Sequence, residues 1–255
     1  MTGNERKTQL RLMERSGYLP ILRSLAKLST APFWWFVDDT PSSPAEIQHN
    51  GTVCFLKIGK RILGVTADHV YRGYIADLAS RPVVCQIGSV RYQPEKRVIS
   101  RDVETDLVTF DVPEFIVAAA GCSPHDVFQW PPPPLSEGEL VIAGGFPGPL
   151  REGRLTVAEF PFITLASRVR QSGEDHASLQ LELASSEWGT AERLYAGADL
   201  GGMSGGPVFR HHGEGIERIS LAGFVYEYGP SWEIMLARHA ASIAPDGTVF
   251  RPSNT

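Results

Sequence analysis

From Gly51 onward the chain is a succession of short apolar runs punctuated by glycine and proline, and this pattern narrows its fold more than any other feature. Runs at 52–58, 61–66, 82–87, 97–100, 107–112, 139–143, 154–159, 178–183, 207–209 and 220–226 have the length and residue types of strands. The first two flank Gly59-Lys60, a two-residue hairpin signal. Strands that follow one another without long helical patterns between them argue for an all-β sandwich or barrel and against βαβ units. Trp130 and the four prolines at 131–134 read as a stiff extended connector between two β lobes. The predicted organisation is an extension at 1–50, a first lobe at 51–130, a second lobe at 131–245 and a tail at 246–255.

Within the extension, Leu10, Met13, Tyr18, Ile21, Leu22, Leu25 and Leu28 recur at spacings near three and four. They predict a helix over 5–28, interrupted near Gly17 and Pro20, whose role is packing on the body of the protein. Its six Lys and Arg side chains keep a partner surface in view. Pro32-Phe33-Trp34-Trp35-Phe36-Val37 reads as a strand buried in the core rather than a ligand box. A second, short helix is expected over 236–243.

Charge and cysteine usage exclude several classes. Lys and Arg number 24 against 29 Asp and Glu, a formal net charge of −5, and no basic run occurs, so no nucleic-acid partner is expected. Cys54, Cys85 and Cys122 are odd in number and widely spaced, the pattern of reduced thiols rather than of a disulfide framework or a zinc site. Residues 1–13 are polar and charged with no apolar core after them, and no run is long enough to span a membrane. The expectation is a cytoplasmic protein with no membrane partner.

One glycine-rich run carries candidate chemistry. Gly201-Gly202-Met203-Ser204-Gly205-Gly206-Pro207 sets a serine in a backbone able to turn sharply and approach a substrate closely. The N–H groups of Gly202 and Ser204 are candidate oxyanion donors. A serine hydroxyl needs a base and an orienting acid to act as a nucleophile. Thr66-Ala67-Asp68-His69-Val70 supplies His69, at the end of a strand-like run where a loop or a single helical turn would begin. Asp106 directly precedes the apolar run Leu107-Val108-Thr109-Phe110, so its carboxylate sits at a strand edge within reach of an imidazole N–H. Asp68, Asp102 and Asp111 compete for that role. Asp68 adjoins the histidine and would face away from it in a strand, and the other two lack the acid-then-strand pattern. Gly-x-Ser-x-Gly also fits Gly202 to Gly206, but that reading needs an aspartate and then a histidine downstream, and Asp246 follows every later histidine, while βα alternation is missing. His211-His212 has no companion at a metal-binding spacing.

With these residues in view, the chain resembles the trypsin-like (chymotrypsin-fold) serine peptidases, bacterial members without disulfides in particular. Thr66-Ala67-Asp68-His69 looks like their Thr-Ala-x-His, Thr105-Asp106-Leu107-Val108 like their acid-bearing strand, and Gly202 to Pro207 like their nucleophile motif. Val141-Ile142-Ala143-Gly144-Gly145-Phe146-Pro147 resembles the opening strand and Gly-x-Pro turn of their second barrel. The resemblance implies two packed six-stranded antiparallel β-barrels, with His69 and Asp106 from the first and Ser204 from the second. It implies a serine endopeptidase acting on a protein or peptide through an acyl-enzyme, with no cofactor and no metal. By the same pattern Ala198 forms the base of the specificity pocket, and Tyr226 and Glu227 belong to its wall. Met203 departs from the pattern, standing where members activated by cleavage carry an acid. The oxyanion turn must therefore be ordered by other contacts or by substrate. The alternative reading is a catalytically quiet or partner-switched barrel that binds peptides or proteins, with the N-terminal extension as the docking surface of an activating partner.

Overall fold

Most of the apolar runs pair as antiparallel strands buried on both faces. The computed structural model describes residues 18–37, 47–127, 129–154, 157–181, 199–212 and 218–251. The order begins with helix α1 (Tyr18–Leu28), then β1 (Thr30–Val37), β2 (Ile47–Ile58), β3 (Arg61–Ala67) and helix α2 (Asp68–Ser80). It continues with β4 (Val83–Ile87), β5 (Val90–Arg91), β6 (Val98–Asp102), β7 (Leu107–Asp111), helix α3 (Glu114–Ala119) and β8 (His125–Asp126). The second half comprises β9 (Leu140–Gly145), β10 (Glu152–Arg154), β11 (Val157–Glu159), β12 (Ile163–Ser172) and β13 (His176–Gln180). After these come β14 (Pro207–His212), β15 (Arg218–Gly229) and β16 (Ile234–His239).

The second lobe is a closed six-stranded antiparallel barrel in the order β12-β13-β16-β15-β14-β9, sealed by the β9–β12 pair. Successive side chains of a strand point to opposite faces. Val141 and Ala143 of β9 accordingly join Leu165, Leu179, Val208, Val225 and Met235 in the barrel core. Leu140 and Ile142, from the same strand, face outward and meet Cys54, Leu56, Leu63, Val65 and Leu107 in a core between the lobes. The other face of the first sheet carries Val53, Phe55, Val108 and Phe110 into a third cluster with Phe33, Trp35, Tyr71 and Tyr74. Burial on both faces is why these runs read as continuously apolar rather than alternating.

The first lobe is not a second closed barrel. It is an open sheet in the order β5-β4-β1-β2-β3-β7-β6, with β8 joined parallel to β2. The edge strand β5 has two residues and gives way to a tight turn at Pro94–Lys96, leaving little backbone to pair with β6. Pro94 has no N–H to offer across the seam. A side chain bridges it instead: Tyr92 Oη donates to Asp111 O at 2.9 Å. The aromatic strand β1 lies inside this sheet, between β2 and β4.

Helix positions also differ from the sequence reading. Residues 5–17 of the expected N-terminal helix lie outside the described residues. The remainder is α1, with Pro20 in the first turn, where a missing N–H costs no helical bond. Its Ala26 is buried in the core between the lobes. In place of a single turn after His69, α2 runs for 13 residues, because Val70, Tyr71 and Tyr74 bury one face of it. The helix expected over 236–243 is instead β16 followed by a short 3₁₀ turn, Ala240–Ser242. Pairing with β13 and β15 on either side closes the barrel there and overrides local preference. The segment after the 3₁₀ turn returns to the first lobe, where Thr109 Oγ1 donates to Gly247 O at 2.6 Å. Among the described residues no helix is long and apolar enough to cross a membrane. Cys54 and Cys85 are buried and Cys122 is half-buried, all three as free thiols. Burial pushes the Cys122 thiol up to about 11.

Burial holds His125 and His239 below the ordinary imidazole value of 6.5. The unfolded chain therefore takes protons at these positions before the folded one does. Their contribution to stability is present above pH 6.5 and is lost as pH falls below it. Denaturant midpoints measured against pH should show this fall, and His239→Gln should flatten it.

Candidate active site

The pairing of β3 with β7 puts His69 beside Asp106. Ala67 and Leu107 are register partners at the ends of these strands. The residues just past them face one another, and Asp68 N donates to Asp106 O at 3.1 Å. Asp106 then holds His69 twice. Oδ1 accepts from the His69 backbone N–H at 2.8 Å, and Oδ2 lies 2.7 Å from Nδ1. An ionised carboxylate can only accept, so Nδ1 carries the hydrogen and Nε2 is left as an acceptor. The side chain of Asp106 is 16% exposed against 43% for His69, so the acid is the sheltered member and the imidazole is open to solvent. Asp106 has φ +54°, a left-handed conformation that aspartate tolerates better than most residues.

The competing acids are engaged elsewhere. Asp68 is fully buried and accepts from Arg101 Nε at 2.8 Å and Arg72 Nε at 2.9 Å. Asp102 accepts from the Thr105 backbone N–H at 2.6 Å, closing the turn that leads to Asp106. Asp111 lies 3.8 Å from Arg97.

Ser204 sits on a turn gripped by the first lobe. Thr52 of β2 donates its N–H to Ser204 O and its Oγ1–H to Gly202 O, both at 2.9 Å. The same Oγ1 accepts from Phe146 N at 3.1 Å. Thr66 Oγ1 completes the chain of bonds by donating to Thr52 O at 2.7 Å. Gly205 N donates to Val225 O at 2.7 Å. Gly202 and Gly205 have φ of +99° and +89°, and a Cβ on Gly205 would run into Thr52 and Thr66. That crowding places the serine turn against the end of β3, from which His69 follows. Met203, the departure from the familiar motif, is buried in the core of the second lobe. Its burial, the Thr52 bonds and the Asp199 carboxylate, which accepts from Gly201 N at 2.7 Å, order the turn with no acid at position 203.

Two N–H groups of this turn point to chemistry. Among the described residues no hydrogen bond takes the N–H of Gly202 or of Ser204. Paired free donors beside a serine can receive the oxygen of a tetrahedral intermediate. Ser204 Oγ itself donates to Tyr226 O at 3.4 Å, and among the described residues no hydrogen bond joins it to His69.

Of the expected pocket residues, Ala198 lies outside the described residues. Tyr226 falls at a β-bulge in β15 and is half-buried, its ring against the Arg238 guanidinium and edge-on to His176. Burial raises its phenol above the ordinary value. Glu227 is exposed and lines an open cavity of about 670 Å³ with His176, Trp232 and Leu236. Thr52, Asn50 and Arg238 escaped the sequence reading. Asn50 Nδ2 donates to Phe146 O at 2.9 Å, beside the serine turn. None of the three lies in a motif, and each makes contacts between the lobes that the sequence does not display.

No protein-family model and no curated protein matches this chain. It is similar to a solved structure from a study of aromatic interactions in the coupled folding and binding of the intrinsically disordered Sesbania mosaic virus VPg protein. That match has 14% sequence identity and a TM-score of 0.44, and covers 83% of this chain and 91% of the other. Likeness at this level bears on neither the fold nor the site.

Thr52→Val should lower stability by about 2 kcal/mol, since it removes one donor and one acceptor from buried backbone groups. Thr52→Ser should keep most of it. Denaturant unfolding of the two variants measures the difference.

Proposed function

We propose that the protein is a serine endopeptidase with Ser204 as nucleophile, His69 as base and Asp106 as orienting acid. The observation that carries this reading is the double hold of Asp106 on His69, which leaves Nε2 as an acceptor just past the end of the strand on which the serine turn packs. His69 Nε2 takes the proton from Ser204 Oγ as Oγ attacks the scissile carbonyl. The carbonyl oxygen, now negative, is received by the N–H groups of Gly202 and Ser204. The leaving amine takes the proton from His69, and water releases the acid by the same route. Asp106 stabilises the imidazolium throughout and stays ionised. Every group in this scheme is a protein group.

A resting form of the same site is the second reading. The bond of Ser204 Oγ to Tyr226 O favours it, because a hydroxyl held there must turn toward Nε2 before it can react. Substrate, or a protein partner that orders the cleft, would supply that turn. The exposed carboxylate of Glu227 beside Trp232 and His176 is the polar feature of the cleft flank that would meet an extended peptide.

Hydrolysis of a fluorogenic peptide library tests the proposal. Ser204→Ala and His69→Ala should remove turnover, and Asp106→Asn should lower kcat by about 10⁴-fold. Asp102→Asn, which alters an acid not bonded to His69, should retain turnover within about tenfold. Activity that survives Ser204→Ala would remove the claim.

A further inference from the structure

The acid-bearing turn is held from outside its own lobe. Arg238, on β16 of the barrel, is only 5% exposed. Its Nε donates to Thr105 O at 2.7 Å and its Nη2 to Glu104 O at 3.1 Å. Those two carbonyls belong to the residues immediately before Asp106. Its Nη1 donates to Asp175 Oδ2 at 2.6 Å, and the guanidinium carbon lies 4.8 Å from the centre of the Tyr226 ring. The planar fork is thus used on three sides and stacked on its face.

Burying a guanidinium is unfavourable unless it is paired, and apolar side chains would fill this interface more cheaply. What the arginine adds is geometry. Asp106 is in the left-handed region, a conformation that persists only where its surroundings over-determine it. Two successive carbonyls gripped by one rigid fork provide that constraint. Asp175 is itself shared, since its Oδ1 lies 2.6 Å from His176 Nδ1, and this anchors the fork on the barrel side.

We propose that Arg238 is a positioning residue for the His69–Asp106 pair, holding the turn at Glu104 and Thr105 so that the Asp106 carboxylate stays on His69. This rests on the reading of Ser204, His69 and Asp106 as a triad only for its effect on turnover. The hold on His69 is a claim about geometry alone. Without Arg238 the turn relaxes, Asp106 leaves its strained conformation, and Nδ1 of His69 loses its fixed hydrogen-bond acceptor. Lysine keeps the charge but cannot span both carbonyls and Asp175, so it restores the hold in part.

The test is ¹⁵N NMR of the histidine side chains in the full chain, at a pH where the imidazole is neutral. The His69 signals are assigned by their loss in His69→Ala. Wild type should show the Nδ1–H tautomer, and Asp106→Asn should lose it. Arg238→Gln should lose it too while circular dichroism reports a folded protein, and Arg238→Lys should be intermediate. On a peptide substrate, Arg238→Gln should lower kcat by about 100-fold with KM nearly unchanged, the mark of a displaced catalytic group rather than of lost binding. Retention of the wild-type tautomer in Arg238→Gln overturns the proposal. If that variant does not fold, retention in folded Arg238→Lys at the wild-type population does so. Should wild type fail to hydrolyse any peptide, the peptidase reading falls and the tautomer still decides the role of Arg238.

Discussion

Thr52 joins the two halves of the candidate site, and the remaining geometry depends on it. Its N–H and hydroxyl take the carbonyls of Ser204 and Gly202, and its own carbonyl takes the hydroxyl of Thr66. One buried residue of the first sheet therefore connects the serine turn of the barrel to β3, the strand that leads into His69. The Gly202 and Ser204 carbonyls bond Thr52, and among the described residues no hydrogen bond takes their N–H groups. If these donors serve as the proposed oxyanion site, the bonds made behind them are what preorganise it.

The lobes are also joined by apolar burial, and the two forces act at different scales. Leu140, Ile142 and Phe209 of the barrel pack on Leu56, Leu63 and Leu107 of the sheet. This contact is broad and non-directional, so it brings the lobes together without fixing any side chain to a fraction of an ångström. Thr52 and Arg238 supply direction, one at the serine turn and the other at the turn before Asp106. Asp68 serves the same purpose within the first lobe. Fully buried and paired with Arg72 and Arg101, it ties the start of α2 to β6 and so fixes the backbone from which His69 projects.

The features legible in the sequence are those fixed by neighbours along the chain. The Gly59-Lys60 hairpin appears as written, with Ile58 paired to Arg61. Asp106 stands out as an acid directly before an apolar strand, and that strand end is what lays its carboxylate on His69. Features decided by distant partners were not legible. The run at 236–243 has the composition of a helix and becomes a strand because β13 and β15 are waiting on either side. The first sheet stays open because β5 is too short to reach β6, a length that the run at 82–87 does not reveal. Thr52 and Arg238 look ordinary in sequence, since their roles lie in backbone carbonyls of the other lobe.

The account turns on Ser204 being an activated nucleophile, and covalent labelling tests that most directly. Purified protein would be treated with a fluorophosphonate and its intact mass compared with that of Ser204→Ala treated alike. The account predicts one adduct on the wild-type chain, mapped to Ser204 and missing from the variant. A wild-type chain that stays unmodified, or an adduct that persists in Ser204→Ala, would contradict it.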